Sequence, residues 1–146
     1  MEIPTTRFGP VEVEADDVIR FPEGLLGLEE CRDWVLLADE ENDAVAWMQS
    51  VDRGDVALAV VSPRRFVAGY RIRVARRELA PLNLDRVGAA HVLVIVGRTE
   101  RSLTLNLRAP IVINLENRLA RQVMTNGHLP VQHELGTALP ALKRTA

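Results

Sequence analysis

Few residues in this sequence are of the kinds that build a catalytic or metal centre. Cysteine occurs once, as Cys31, so no disulfide framework is available and a reducing cytoplasm is the expected home. Zinc sites draw on closely grouped Cys and His ligands, and one Cys with three scattered histidines (His91, His128, His133) does not supply them. Cys31 with a distant histidine is a conceivable nucleophile pair, but a lone thiol is far more often a small buried hydrophobe. Aromatic residues make up only 4% of the chain, which weakens any case for a base-stacking surface. No apolar run approaches the ~18 residues of a membrane span, and the N-terminus lacks the basic-then-apolar layout of a signal peptide. A membrane is therefore not an expected partner. Lysine also occurs once, Lys143, against seventeen arginines, and no function follows from that imbalance.

What is present fits one globular domain. A chain of 146 residues with 47% hydrophobic content can bury roughly 68–70% of the surface its unfolded form exposes. The net charge of −2 conceals an uneven distribution: residues 1–55 hold 15 acidic and 4 basic side chains, and residues 56–146 hold 14 basic and 5 acidic. Such asymmetry often reports a charged partner, although the two halves can also interleave in space and cancel.

The strongest pattern runs over residues 103–117. Leu103, Leu105, Leu107, Ala109, Ile111, Ile113 and Leu115 occupy the odd positions, and the even ones are nearly all polar. Period two marks an extended strand with one face on a core and the other toward solvent or a partner. It is longer than the usual strand of about 5–6 residues, and Pro110 lacks the N–H a central ladder needs. The expectation is one long strand bent at Pro110, or two strands sharing an inward face.

Elsewhere, residues 1–6 and 11–14 flank Phe8-Gly9-Pro10 as a hairpin, with Asp16-Asp17 capping a short helical turn. Strands are expected at 34–37, 45–51, 56–61, 70–74 and 91–96, and a helical turn at 76–79 before Pro81. Residues 115–124 suit a helix face or a strand, and the Asn126-Gly127 turn pair tilts them to strand. The fold class is all-β: a compact, curled or barrel-like sheet of about nine short strands with one or two helical turns. Residues 1–135 form the domain, and 136–146, rich in Ala, Pro and Leu, form a loose tail.

No motif supports an enzyme, and no cofactor is implied. Gly24-Leu25-Leu26-Gly27 lacks the Lys-Ser/Thr of a phosphate loop. Asp39, Glu40, Glu41 and Asp43 offer four carboxylates, but nothing apolar encloses them to separate their pKa values. Arg64, Arg65, Arg71, Arg73, Arg76 and Arg77, with Phe66 and Tyr70 interleaved, suggest a single-stranded RNA module. Against it, a regular strand puts Tyr70 on the face opposite Arg71 and Arg73, and the chain pI near 5.9 is far from basic. Phe21, Leu25 and Leu26 lie in a loop too broken for a helix and too apolar for an ordinary loop. They form either a lid on the core or an exposed patch for a partner.

Several runs together resemble the FliW-type flagellar assembly factors. They are Thr5-x-x-Phe8-Gly9, Phe21-Pro22-x-Gly24-Leu25-x-Gly27, Val35-Leu36-Leu37, Glu41-Asn42, Trp47-Met48-Gln49-Ser50-Val51 and, most specific, Asn106-Leu107-Arg108-Ala109-Pro110-Ile111-Val112-Ile113-Asn114. Order and spacing agree from Met1 to about Leu135. The chain departs from the family pattern at Leu119-Ala120, where a tight hairpin is in doubt, at Ala44-Val45-Ala46, and over 128–135. The resemblance implies a cytoplasmic, non-enzymatic partner switch, monomeric when free, without direct nucleic-acid binding. It would hold newly made flagellin in a chaperone-like way. On release it would bind the carbon storage regulator, a small basic repressor of flagellin translation. On that reading Asp39, Glu40, Glu41 and Asp43 face the basic regulator, and Phe21, Leu25 and Leu26 form an apolar lip for flagellin helices. Arg108, Asn114 and Asn117 either cap that groove or hold the bend at Pro110.

Overall fold

A computed structural model of the chain describes residues 1–84 and 87–136. In it, the long alternating segment is divided. β8 (Leu103–Leu105) and β9 (Ile111–Asn114) run antiparallel to the same edge of β7 (Ala90–Arg98). Leu105 pairs with Val96 and Ile111 with Leu93, so two residues of β7 face the five residues 106–110. The excess forms a bulge, most of whose polar main-chain groups find partners. Asn106 N donates to Ile95 O (3.0 Å) and Leu107 N to Pro130 O (3.0 Å), while Arg108 O and Pro110 O accept from Thr125 N and Val123 N, 2.9 Å each. Ala109 N donates to Asn106 Oδ1 at 3.1 Å. The bend is thus a five-residue excursion rather than a kink at Pro110 alone.

The expected solvent face of this segment is absent. Thr104, Val112 and Asn114 are as buried as their odd-numbered neighbours. Residues 70–84 lie across Val112 and Asn114, and Leu82, with Ile72, Val74, Leu79 and Leu84 around it, packs on Val112 and Val123.

The main sheet adds β3 (Ile19–Arg20), β4 (Asp33–Ala38), β5 (Val45–Ser50), β6 (Ala57–Val61), β10 (Leu119–Gln122) and β11 (His133–Gly136). Its order is β11-β8-β7-β6-β5-β4-β3-β10-β9, and β7 also pairs with β9, which closes all but β8 and β11 into a barrel. One buried cluster takes Ile19, Trp34, Met48, Val60, Ile111, Ile113 and Ala120, with Leu93 and Ile95 packed against it. It draws on every strand of the ring, so it is the barrel interior. The alternate residues of β5, β6 and β7 (Val45, Trp47, Ala59, Val61, Val94) point outward. They form a second core with Leu103, Leu105, Leu107 and Tyr70. β5 and β6 are apolar on both faces because both faces are covered.

A hairpin of β1 (Glu2–Thr5) and β2 (Gly9–Glu12) is registered Glu2↔Glu12 to Thr5↔Gly9, as the Gly-Pro signal suggested. It lays Ile3 and Val13 on the outer side of Val35. The short helical turn after it is Ala15–Asp17, where the Glu14 N–H donates to Asp17 Oδ2 at 2.8 Å. α1 (Arg76–Leu79) runs into a 3-10 turn, Ala80–Leu82.

Among the described residues eleven strands form where about nine were expected. One expected strand does not form. Residues 70–74 keep the alternation, Tyr70 buried and Arg71 and Arg73 exposed, but join no ladder. They cross over the outer core, and beyond Tyr70 the main-chain bond is Asn126 N to Arg73 O at 2.6 Å. The hairpin placed in doubt at 119–120 does form, with Leu119 opposite Asn114 and Arg118 holding the left-handed position at φ 59. Of the tail expected at 136–146, Gly136 ends β11, and the remainder lies outside the described residues.

Candidate functional site

Residues 21–29 are held as a small tight hairpin. Leu28 N donates to Leu25 O at 2.9 Å, leaving Leu26 and Gly27 at the tip. Gly24 sits at φ 67, and a Cβ there would lie 2.5 Å from Glu29 O, so the loop closes only with glycine. Phe21 and Leu25 turn inward at 0% and 2% exposure, Phe21 edge-on to Trp34 with ring centroids 6.3 Å apart. These two belong to the barrel core, as a lid requires. That corrects the expectation of a three-residue apolar lip, because only Leu26, 64% exposed, faces solvent.

The tip is fixed from two sides. Gln122 accepts from Leu26 N (2.9 Å) through Oε1 and donates to Ala109 O (3.1 Å) through Nε2, tying the loop to the bulge. Arg121 reaches Glu23 at 3.0 Å and Glu78 at 2.9 Å, tying it to α1. Ala120 and Gln122 share a strand face by period two, and Met124, two residues past the end of β10, is also exposed (50%). The sequence pattern did not single out Met124 or Gln122. A glutamine on the face of buried Ala120 was the available signal.

The acidic loop joins β4 to β5. Asp39 is half-buried and accepts from Trp47 Nε1 (3.0 Å), Asn42 N (2.9 Å) and Glu41 N (3.1 Å). Those bonds, the Trp47 indole first, hold its carboxyl below the usual carboxylate range. The Arg7 guanidinium caps the same indole, 4.1 Å from the ring centroid. Asp39 is therefore a structural cap, while Glu40, Glu41 and Asp43 are exposed around it. Asp43 lies 3.7 Å from Arg65, so part of the acidic and basic halves meet in space.

Arg108, Asn114 and Asn117 are bound to main chain. Arg108 Nε donates to Leu129 O, and Asn114 Nδ2 and Asn117 Nδ2 both donate to Leu82 O, each at 2.9 Å. They fasten residues 82 and 129 over the bent strand, and Asn114 is 2% exposed, so it cannot reach a groove from there. The six arginines of 64–77 are exposed, but their interleaved aromatics are not with them. Tyr70 is buried, its hydroxyl donating to Leu107 O at 2.6 Å, and Phe66 packs on the outer core. No stacking platform accompanies the charge.

Among the described residues no cluster of three or more His, Cys, Asp and Glu could hold a metal ion, and no helix is long and apolar enough to cross a membrane. Cys31 is fully buried, its carbonyl accepting from Trp34 Nε1 at 3.0 Å.

A family model described as FliW protein matches residues 2–135. The flagellar assembly factor FliW of Bdellovibrio bacteriovorus is 36% identical over 142 residues, covering 95% of this chain and 81% of its own length. That of Geotalea uraniireducens is 38% identical over 129 residues, covering 87% and 78%. Among solved structures, a crystal structure of the flagellar assembly factor FliW matches with a TM-score of 0.85 at 29% identity, covering 92% of this chain and 96% of that one. With the specific Asn106–Asn114 run now explained as a main-chain-matched bulge, these likenesses agree: the chain belongs to the FliW family of flagellar assembly factors.

Proposed function

We propose that the protein is a cytoplasmic switch between two partners, monomeric when free, acting by binding rather than catalysis. It holds newly made flagellin, and once flagellin is exported it binds the carbon storage regulator and lifts repression of flagellin translation. The observation that carries this reading is a contrast between two rigid tips. The 39–43 loop presents Glu40, Glu41 and Asp43 around a pinned Asp39, suited to a small basic protein. The 25–28 tip presents Leu26, with exposed Met124 two residues past the glutamine that holds it, suited to the apolar side of an amphipathic helix.

Titration calorimetry with each purified partner tests the assignment. Glu40→Lys with Asp43→Lys should weaken regulator binding by about tenfold or more at low salt and flatten its salt dependence. Leu26→Asp should weaken flagellin binding and leave the regulator affinity alone. Unchanged affinity in either case removes that surface from the reading. Retardation of single-stranded RNA at physiological salt would favour the RNA-module alternative instead.

A further inference from the structure

Residues 70–74 form the part of the fold that looks most like a strand without being one. Tyr-Arg-Ile-Arg-Val has strand composition, its burial alternates, and no turn or bend interrupts residues 70–75. Among the described residues, the main chain from Arg71 to Val74 makes a single hydrogen bond, from Asn126 N to Arg73 O. In extended chain the N–H and C=O of one residue point to the same edge, and those of its neighbours to the opposite edge. Arg73 thus faces the 123–126 chain, and the edge bearing the amides and carbonyls of Ile72 and Val74 is bonded to no described residue. Ile72 and Val74 are anchored below, half-buried on Leu82, Val112 and Val123. Arg71 and Arg73 stand above, and Arg76 and Arg77 follow. None of these four arginines is matched with a carboxylate among the described residues.

We infer that this segment is a seat for an acidic, extended segment of a partner protein, which adds as a strand along the Ile72–Val74 edge. Its backbone would complete the unpaired groups, and its alternate carboxylates, about 6.6 Å apart on one face of a strand, would oppose Arg71 and Arg73. Guanidinium groups hold carboxylates in bidentate fashion, and their charge repels a basic strand that an open edge would otherwise attract. The geometry favours a peptide over a nucleic acid on two counts. Carbonyls on the open edge need N–H donors, which a phosphodiester backbone lacks. Tyr70 is turned into the core, so bases find no ring on this face. Pairing of two copies through the same segment would set arginine against arginine. The inference is independent of the two-partner reading above.

Fluorescence anisotropy on the whole chain tests it, using a labelled alternating Glu-Val peptide, the same peptide N-methylated at its backbone nitrogens, and a short oligouridylate. The Glu-Val peptide should bind at low salt, and R71E with R73E should weaken it about tenfold or more, since attraction becomes like-charge opposition. Both arginines are exposed, so the urea midpoint of the double variant should match the parent, and N-methylation should abolish binding. Absence of peptide binding, equal binding of the N-methylated peptide, or tighter binding of oligouridylate would overturn the inference. So would a dimer in sedimentation that R71E with R73E dissolves, because a second copy would then occupy the seat.

Discussion

Replacing Tyr70 with phenylalanine removes one oxygen from the junction between the crossover and the bulge. That hydroxyl donates to Leu107 O at 2.6 Å, with the ring 5% exposed. A buried carbonyl that loses its donor costs about 1–3 kcal/mol, which lowers Tm by several degrees in a domain of this size. The same group provides a second, sharper measurement. Burial pushes the phenol from its ordinary 10.0 up to about 12. The neutral form is the one the fold prefers, so its contribution is complete below pH 10 and is lost as pH rises through 12. Two pH units correspond to roughly 2–3 kcal/mol. Tyr70 is the sole tyrosine and Lys143 the sole lysine, so tyrosinate absorbance reports this residue alone and few other groups titrate in the window. Absorbance and far-UV circular dichroism should change together in the parent, well above pH 10. The Tyr70→Phe variant, less stable at neutral pH, should lose less urea stability between pH 10 and 12. Tyrosinate appearing near pH 10 in a chain that keeps its dichroism would refute the argument.

Three further outcomes are expected. Asp39→Ala should cost about 1–2 kcal/mol at neutral pH by urea titration. Because its folded pKa is depressed, the deficit should hold above the unfolded value near 3.8 and vanish as pH falls through the folded one. Leu25→Ala should cost about 2–5 kcal/mol and Leu26→Ala within about 0.5 kcal/mol of nothing, since one side chain fills the barrel and its neighbour does not. Gly24→Ala should destabilise by several degrees in a melting scan, as its Cβ would press on Glu29 O at 2.5 Å from a left-handed backbone.

The sequence made strands legible where period two was clean, but not which core each face meets: Leu103, Leu105 and Leu107 line the outer core, while Ile111 and Ile113 fill the barrel. Val56 to Val61, a run without alternation, was correctly a strand covered on both sides. It failed where alternation persists without a ladder partner: Arg71 and Arg73 alternate with Ile72 and Val74 because a core lies beneath them, and pairing is decided by distant residues. It also failed at Val112 and Asn114, buried by the Leu82 region, a covering no local pattern encodes. Loop residues were the least legible. Phe21, Leu25 and Leu26 look alike in sequence, and a glycine at φ 67 sorts two of them inward and one outward. Asp39 stands apart from Glu40, Glu41 and Asp43 only through Trp47, eight residues on.

The barrel closes between β3 and β10 by a single parallel registration, Arg20 with Leu119, supported by Arg20 N donating to Arg118 O at 2.8 Å. Every other junction in the ring is longer. The neighbouring Arg118 has a left-handed backbone and a buried Nε without an acceptor. Hydrogen exchange should find the closed wall weakest here, the Arg20 amide exchanging ahead of the β4–β5 amides, while Gln122 and Arg121 strap the 21–29 loop across the seam.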